Sequence, residues 1–122
     1  MYKIIETFKF GASHNVLDSN GTETGTHGHD WNVKVVAIRE DLNEFNVVIE
    51  YKKFRELVQE VIDNFDCKFL NELEEFKNLN PTEESIVRLL YKRLKEKCTT
   101  KGLKISLVEI WVLEKRRIQY YE

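Results

Sequence analysis

The chain has 122 residues, 42% hydrophobic and 33% charged, a balance that suits one soluble globular domain over 1–122 and excludes a disordered or membrane-embedded chain. Its 19 basic residues face 21 acidic ones, so no cationic excess draws it to nucleic acid. No apolar run approaches the ~18 residues of a membrane span and "MYKIIETFKF" lacks a continuous apolar stretch, so neither a span nor a signal peptide is read, and a cytoplasmic location is expected.

In chain order the expected elements are strand, long loop, strand, strand, helix, helix, strand, strand. "YKIIETFKFGASH" and "DWNVKVVAIRE" are rich in β-branched and aromatic residues, and "NVVIEY" is a short third strand candidate. From Tyr51 the period changes. Tyr51, Phe54, Leu57, Val58, Val61, Ile62 and Phe65 follow three- and four-residue spacing, which predicts an amphipathic helix of about four turns. A second helix is expected after Asn80, with Pro81 and Thr82 at its entrance and Ile86, Val87, Leu90, Tyr91 and Leu94 on its buried stripe. The two cysteines, Cys67 and Cys98, form no CxxC pair, which rules out a cysteine zinc knuckle and argues against a disulfide in a reducing compartment.

The C-terminal "LKISLVEIWVLEKRRIQYY" is apolar on both alternating sets. Ile105, Leu107, Trp111 and Leu113 form one; Val108, Ile110 and Val112 form the other. This pattern predicts a central strand covered on both sides. The second set runs out at Glu114, a carboxylate at the exit of a buried row, where charges rarely sit without a partner.

All three histidines fall at strand ends. His14 closes the first strand, and His27 and His29, two residues apart, open the second. On an extended backbone positions i and i+2 point the same way, so pairing of the two strands would bring the three imidazoles to one rim. Three neutral imidazoles with an open fourth position form the ligand set of catalytic zinc, although iron, nickel and copper accept the same donors.

The segments "FKFGASHNV", "THGHDWNVKV", "FDCKFLNEL", "NPTEES" and "VEIWVLE" occur in an order that resembles the 6-pyruvoyl tetrahydropterin synthase family, which includes the 6-carboxy-tetrahydropterin synthases. The resemblance covers nearly the whole chain, and the ASH and HGH elements are its most specific part. It implies an α+β tunnelling fold, an antiparallel sheet with two helices on one face. It further implies that trimers close into a β-barrel and stack as a homohexamer with sites between subunits. His14, His27 and His29 match the family's Zn2+ ligands, and Glu114 matches the carboxylate that grips the amino-pyrimidine edge of a pterin. Thr82 and Glu84 match a helix start that helps line the pterin pocket. The implied partner is a small-molecule pterin, with no nucleic acid and no membrane.

Two departures bear on the chemistry. Glu23 stands four residues before the first histidine of HGH, where typical members carry a catalytic cysteine, and Cys67 stands beside Asp66 where they carry a histidine that relays protons. Some relatives with glutamate at the first place cleave the side chain of 7,8-dihydroneopterin triphosphate to 6-hydroxymethyl-dihydropterin. Glu23, Asp66 and Cys67 are therefore the catalytic candidates. Three functions stay open: this lyase, a 6-pyruvoyl or 6-carboxy-tetrahydropterin synthase, and a zinc- and pterin-binding protein without turnover. The basic run Lys115, Arg116 and Arg117 is a candidate contact for phosphates, or a solvated turn.

Overall fold

The alternating segments Tyr2–His14 and His27–Arg39 form two 13-residue strands, β1 and β2, in the computed structural model, which describes residues 1–122. They pair antiparallel over their whole length. Ile4, Phe8, Phe10 and Ala12 of β1 and Trp31, Val33, Val35 and Ala37 of β2 turn to one face and are buried there. The intervening positions, such as Lys3, Thr7 and Lys9, are exposed on the other.

Helix α1 (Tyr51–Ile62) buries Phe54, Leu57, Val58, Val61 and Ile62, while Tyr51 is exposed. It stops three residues short of Phe65, which is nonetheless fully buried because the following turn folds it back into the core. Helix α2 (Glu83–Thr99) starts on Thr82, whose hydroxyl accepts the Ser85 N–H at 3.2 Å. The expected stripe Ile86, Val87, Leu90, Tyr91 and Leu94 is buried. Each fully buried large apolar side chain contributes roughly 1.5–3 kcal/mol, whereas the cap contributes about 1 kcal/mol. The stripe therefore holds α2 in place, and the cap sets where it begins. Both helices join the inner sheet face in one core.

The sheet has five strands in the order β3-β1-β2-β4-β5, with β3 at Lys68–Phe69, β4 at Lys104–Trp111 and β5 at Ile118–Tyr120. It is mixed rather than wholly antiparallel: β3 runs parallel to β1 at Ala12 and Ser13. The expected strand at "NVVIEY" does not form. Asn43 and Asn46 fold that segment into a turn, with Asn46 at φ +62°, and Val48 and Ile49 pack beside the core from irregular backbone.

The C-terminal strand also differs from its expected form. A bulge opposite Val36 and Ala37 puts an extra residue at Ser106, so Ile105 joins Val108 and Ile110 on the helix side while Leu107, Glu109 and Trp111 share the other. The strand lies next to the edge, and its second face is not covered within the chain, because both helices pack on the first. No helix is long and apolar enough to cross a membrane.

Candidate metal centre and its pocket

The β1–β2 register pairs His14 with His27 and Ala12 with His29. All three imidazoles therefore stand on the inner face at one end of the sheet. Ring centroids are 4.6 Å apart for His14 and His27, 4.6 Å for His27 and His29, and 5.4 Å for His14 and His29. Beneath them Trp31, fully buried, meets His14 and His29 nearly edge-on at 5.1 and 5.6 Å and donates its indole N–H to the Ala12 carbonyl at 3.1 Å. The indole is a rigid floor for the trio.

Two of the rings have a fixed tautomer. His14 Nδ1 lies 2.8 Å from the Pro81 carbonyl and His27 Nδ1 lies 3.0 Å from the Gly25 carbonyl. A carbonyl only accepts, so each Nδ1 carries the proton and each Nε2 presents a lone pair. The ligating atoms of the three histidines lie within 4.8 Å of one another. A tetrahedral ion with ~2.0–2.1 Å bonds wants donors about 3.4 Å apart, a difference that small ring movements close. Burial lowers the His14 pKa, helped by His27 and opposed by the Pro81 carbonyl and Glu83. Burial, then His27 and His14, lowers that of His29. Neutral imidazoles are the form that binds a metal.

The trio opens into a pocket of about 340 Å³, shared with Thr82 and Glu83 from the start of α2 and with Leu113 and Arg116 from the β4–β5 hairpin. That volume is at the small end of ligand sites and suits one compact heterocycle. A larger cleft of about 420 Å³, between the start of β1 and the Leu42–Tyr51 segment, gathers no histidine or cysteine.

The other sequence candidates sit elsewhere within the chain. Glu23 faces an adjoining cavity with Asn15, Leu17 and Asn80, and accepts a 3.4 Å hydrogen bond from Asn15 Nδ2. Asp66 Oδ1 accepts the Gly11 N–H at 2.9 Å while the Cys67 N–H donates to the Gly11 carbonyl at 2.7 Å. The two residues thereby pin the Asp66–Phe69 segment to the β1 edge, with Cys67 exposed at φ +58°. Thr82 lines the histidine pocket, but Glu84 is exposed, and its neighbour Glu83 takes the place beside the histidines.

Glu114 is not at the end of a buried row. β4 ends at Trp111, and Glu114 lies in the hairpin with its side chain 82% exposed, paired to Arg117 at 2.9 Å. The buried carboxylate is Glu109, on the uncovered sheet face, held by Lys34 at 3.3 Å, Arg117 at 3.0 Å and Gln119. Burial pushes its pKa up, but the donors from Gln119, Arg117 and Lys34 outweigh this and leave it lowered.

Sequence reading also missed two asparagines. Asn71 takes the N–H of Asn15 at 2.8 Å and gives its own to the Asn15 carbonyl at 2.7 Å. Asn80 does the same for Leu17 at 2.8 and 3.0 Å. Each side-chain amide replaces a strand partner and so ties the loop beyond His14 to the segment that leads into α2. The "FLNEL" and "LNPT" stretches contained the signal, but the pairing partners are more than fifty residues away.

The 6-pyruvoyl tetrahydropterin synthase family model matches residues 3–122. No curated protein matches the sequence. Among solved structures, Caenorhabditis elegans 6-pyruvoyl tetrahydropterin synthase is similar at a TM-score of 0.86 and 19% identity, over 99% of this chain and 95% of that one. An uncharacterized protein from Wolinella succinogenes is similar at 0.78 and 21%, over 99% and 98%. A Plasmodium vivax 6-pyruvoyltetrahydropterin synthase in which a catalytic glutamate is replaced by alanine is similar at 0.75 and 15%, over 99% and 97%. The match along almost the entire length places this chain in the 6-pyruvoyl tetrahydropterin synthase family.

Proposed function

We propose that the protein is a zinc-dependent pterin lyase that acts on 7,8-dihydroneopterin triphosphate or a close relative and releases 6-hydroxymethyl-dihydropterin. The observation that carries this reading is the convergence of His14, His27 and His29 at the mouth of a small pocket. When bound, Zn2+ would supply Lewis acidity and make a side-chain hydroxyl easier to deprotonate.

The chain's own groups do the rest. His14, His27 and His29 hold the ion, and Thr82 with the start of α2 forms one wall of the pocket. Glu114 is assigned to the two adjacent N–H donors of the pterin's pyrimidine edge, a bidentate match for a carboxylate. Glu84, with Thr82, is assigned to the lining of the pterin pocket. Glu23 is assigned as the base, in keeping with the catalytic glutamate of the Plasmodium vivax relative. In the cleavage it takes the proton of the second side-chain hydroxyl, and that C–O becomes a carbonyl. The bond between the first and second side-chain carbons breaks, and its electron pair passes into the ring C=N. A proton then returns to the first carbon, and a phosphorylated aldehyde leaves.

Glu23 and Glu114 lie outside the histidine pocket of a single chain, which agrees with a site completed by a second copy. The fold supports such an assembly. The β1 edge from Tyr2 to Gly11 has no strand partner, and the face bearing Leu107, Glu109 and Trp111 has no helix over it. Free edges and an uncovered face favour closure into a barrel; a homohexamer is our reading.

A second reading has one observation in its favour. Asp66 is engaged with Gly11 and its neighbour is Cys67 rather than a histidine, which suits a pterin-binding protein without turnover. Incubation of zinc-loaded protein with 7,8-dihydroneopterin triphosphate separates these functions by product. 6-Hydroxymethyl-dihydropterin supports the lyase. A 6-pyruvoyl or 6-carboxy product reassigns it as a synthase, and bound but unaltered pterin removes turnover.

A further inference from the structure

The basic run after β4 is divided by the structure. Arg117 turns to the uncovered sheet face, where it pairs with Glu109 and Glu114 and lies 4.1 Å over the Trp111 ring. Arg116 turns the other way and lines the histidine pocket. Its only ionic partner is Glu83 across that pocket, at a long 3.4 Å from Arg116 Nη2 to Glu83 Oε1. Glu83 is mostly buried and Arg116 is 63% exposed. The guanidinium has five N–H donors in a planar fork, and one long bond leaves most of them free beside the pocket opening.

We propose that Arg116 is the anion-receiving group of the histidine pocket and that Glu83 restrains it, so the pocket selects a ligand whose side chain ends in a phosphate. This deepens the pterin reading above and rests on it. An arriving phosphate takes the free donors of Arg116 in charge-assisted bonds, the strongest available to it. The Glu83 carboxylate repels the same phosphate and competes for the same fork. The two residues therefore act with opposite sign on one ligand. A solvated turn would show neither effect.

The test compares neopterin triphosphate with neopterin, aromatic forms used as unreactive probes and followed by pterin fluorescence on zinc-loaded protein, with zinc content measured throughout. The parent should prefer the triphosphate. Arg116→Ala should weaken triphosphate binding roughly 10–100-fold, the range for lost hydrogen bonds to a charged group, and leave neopterin unchanged. Glu83→Gln should tighten triphosphate binding roughly 2–5-fold, as expected from removing one partly exposed like charge, again without change for neopterin or zinc. Calorimetric titration of the same proteins with inorganic phosphate separates the two ways of failing. Phosphate binding that depends on Arg116 without any pterin binding retains the anion site and removes the pterin reading. Pterin binding indifferent to phosphorylation and to Arg116 retains that reading and overturns the anion site. Absence of both overturns it as well, as does a Glu83→Gln variant that binds triphosphate less tightly.

Discussion

Replacing His27 and His14 separately by alanine divides metal binding from folding, because the two rings have the same donor role in different surroundings. His27 is half-buried and its Nδ1–H bonds to the exposed Gly25 carbonyl, so water can replace that contact. His14 is 4% exposed and its Nδ1–H satisfies the buried Pro81 carbonyl. Leaving a buried acceptor unpaired costs about 1–3 kcal/mol, and the vacated space beside Trp31 adds to that. Both variants should lose stoichiometric zinc. At free zinc of about 1,000 times the dissociation constant the ion would stabilise the parent by ~4 kcal/mol, or roughly 12–20 °C in melting temperature for a chain of this size. In chelator, where the ion no longer contributes, His27→Ala should melt within a few degrees of the parent and His14→Ala well below it. Zinc analysis with thermal melts in the presence and absence of chelator reads all of these quantities. Full zinc retention by His27→Ala would refute the site, and equal metal-free stability of the two variants would refute the role given to the His14–Pro81 bond.

Further outcomes follow from the same structure. Glu23→Gln should lower side-chain cleavage by ~10²–10⁴-fold, the contribution of a positioned base, with zinc retained; parent-rate turnover would remove Glu23 from the chemistry. Glu114→Gln should weaken pterin binding at unchanged metal content, and equal affinity would remove it as the anchor. Metal-free protein should lose stability on acidification. His14 and His29 ionise below ~6.5 in the folded chain and near 6.5 when unfolded, so their contribution is present above that pH and is lost as pH falls through the folded values; a rise in stability over that window would contradict it. A thiol reagent should label Cys67, which is exposed, but not Cys98, whose burial pushes its pKa up to about 11, and rapid labelling of both would argue against the packing of α2. Light scattering should give six copies of the 14.6 kDa chain, about 88 kDa, and a monomer at micromolar concentration would oppose the barrel.

What the sequence disclosed was whatever depends on local period. The i, i+2 spacing of His27 and His29 and the position of His14 at a strand end survive pairing unchanged, because the two long strands meet in a register that needs no correction. The stripe of α2 and its Thr82 start are equally local. "NVVIEY" has the composition of a strand, but composition does not supply a partner. The free start of β1 lies only across a cleft from it, but Asn43 and Asn46 turn the chain before it can pair there.

The C-terminal strand shows why the rest was hidden. A bulge is a property of two paired strands, so nothing within Lys104–Trp111 announces that Ser106 is the extra residue. Once it is inserted, the alternation slips by one. Ile105 thereby joins Val108 and Ile110 on the helix side, while Leu107, Glu109 and Trp111 keep the uncovered face. The strand then ends at Trp111, so Glu114, which sequence parity placed at the end of a buried row, lies exposed in the hairpin. The expectation that a buried charge needs a partner still holds, but for Glu109, which collects Lys34 from β2 and Arg117 and Gln119 from the start of β5. Arg117 is thereby tied to that face. Its neighbour Arg116 is left free to face the histidines, so the need of buried Glu109 for a partner decides which of two adjacent arginines the pocket can use.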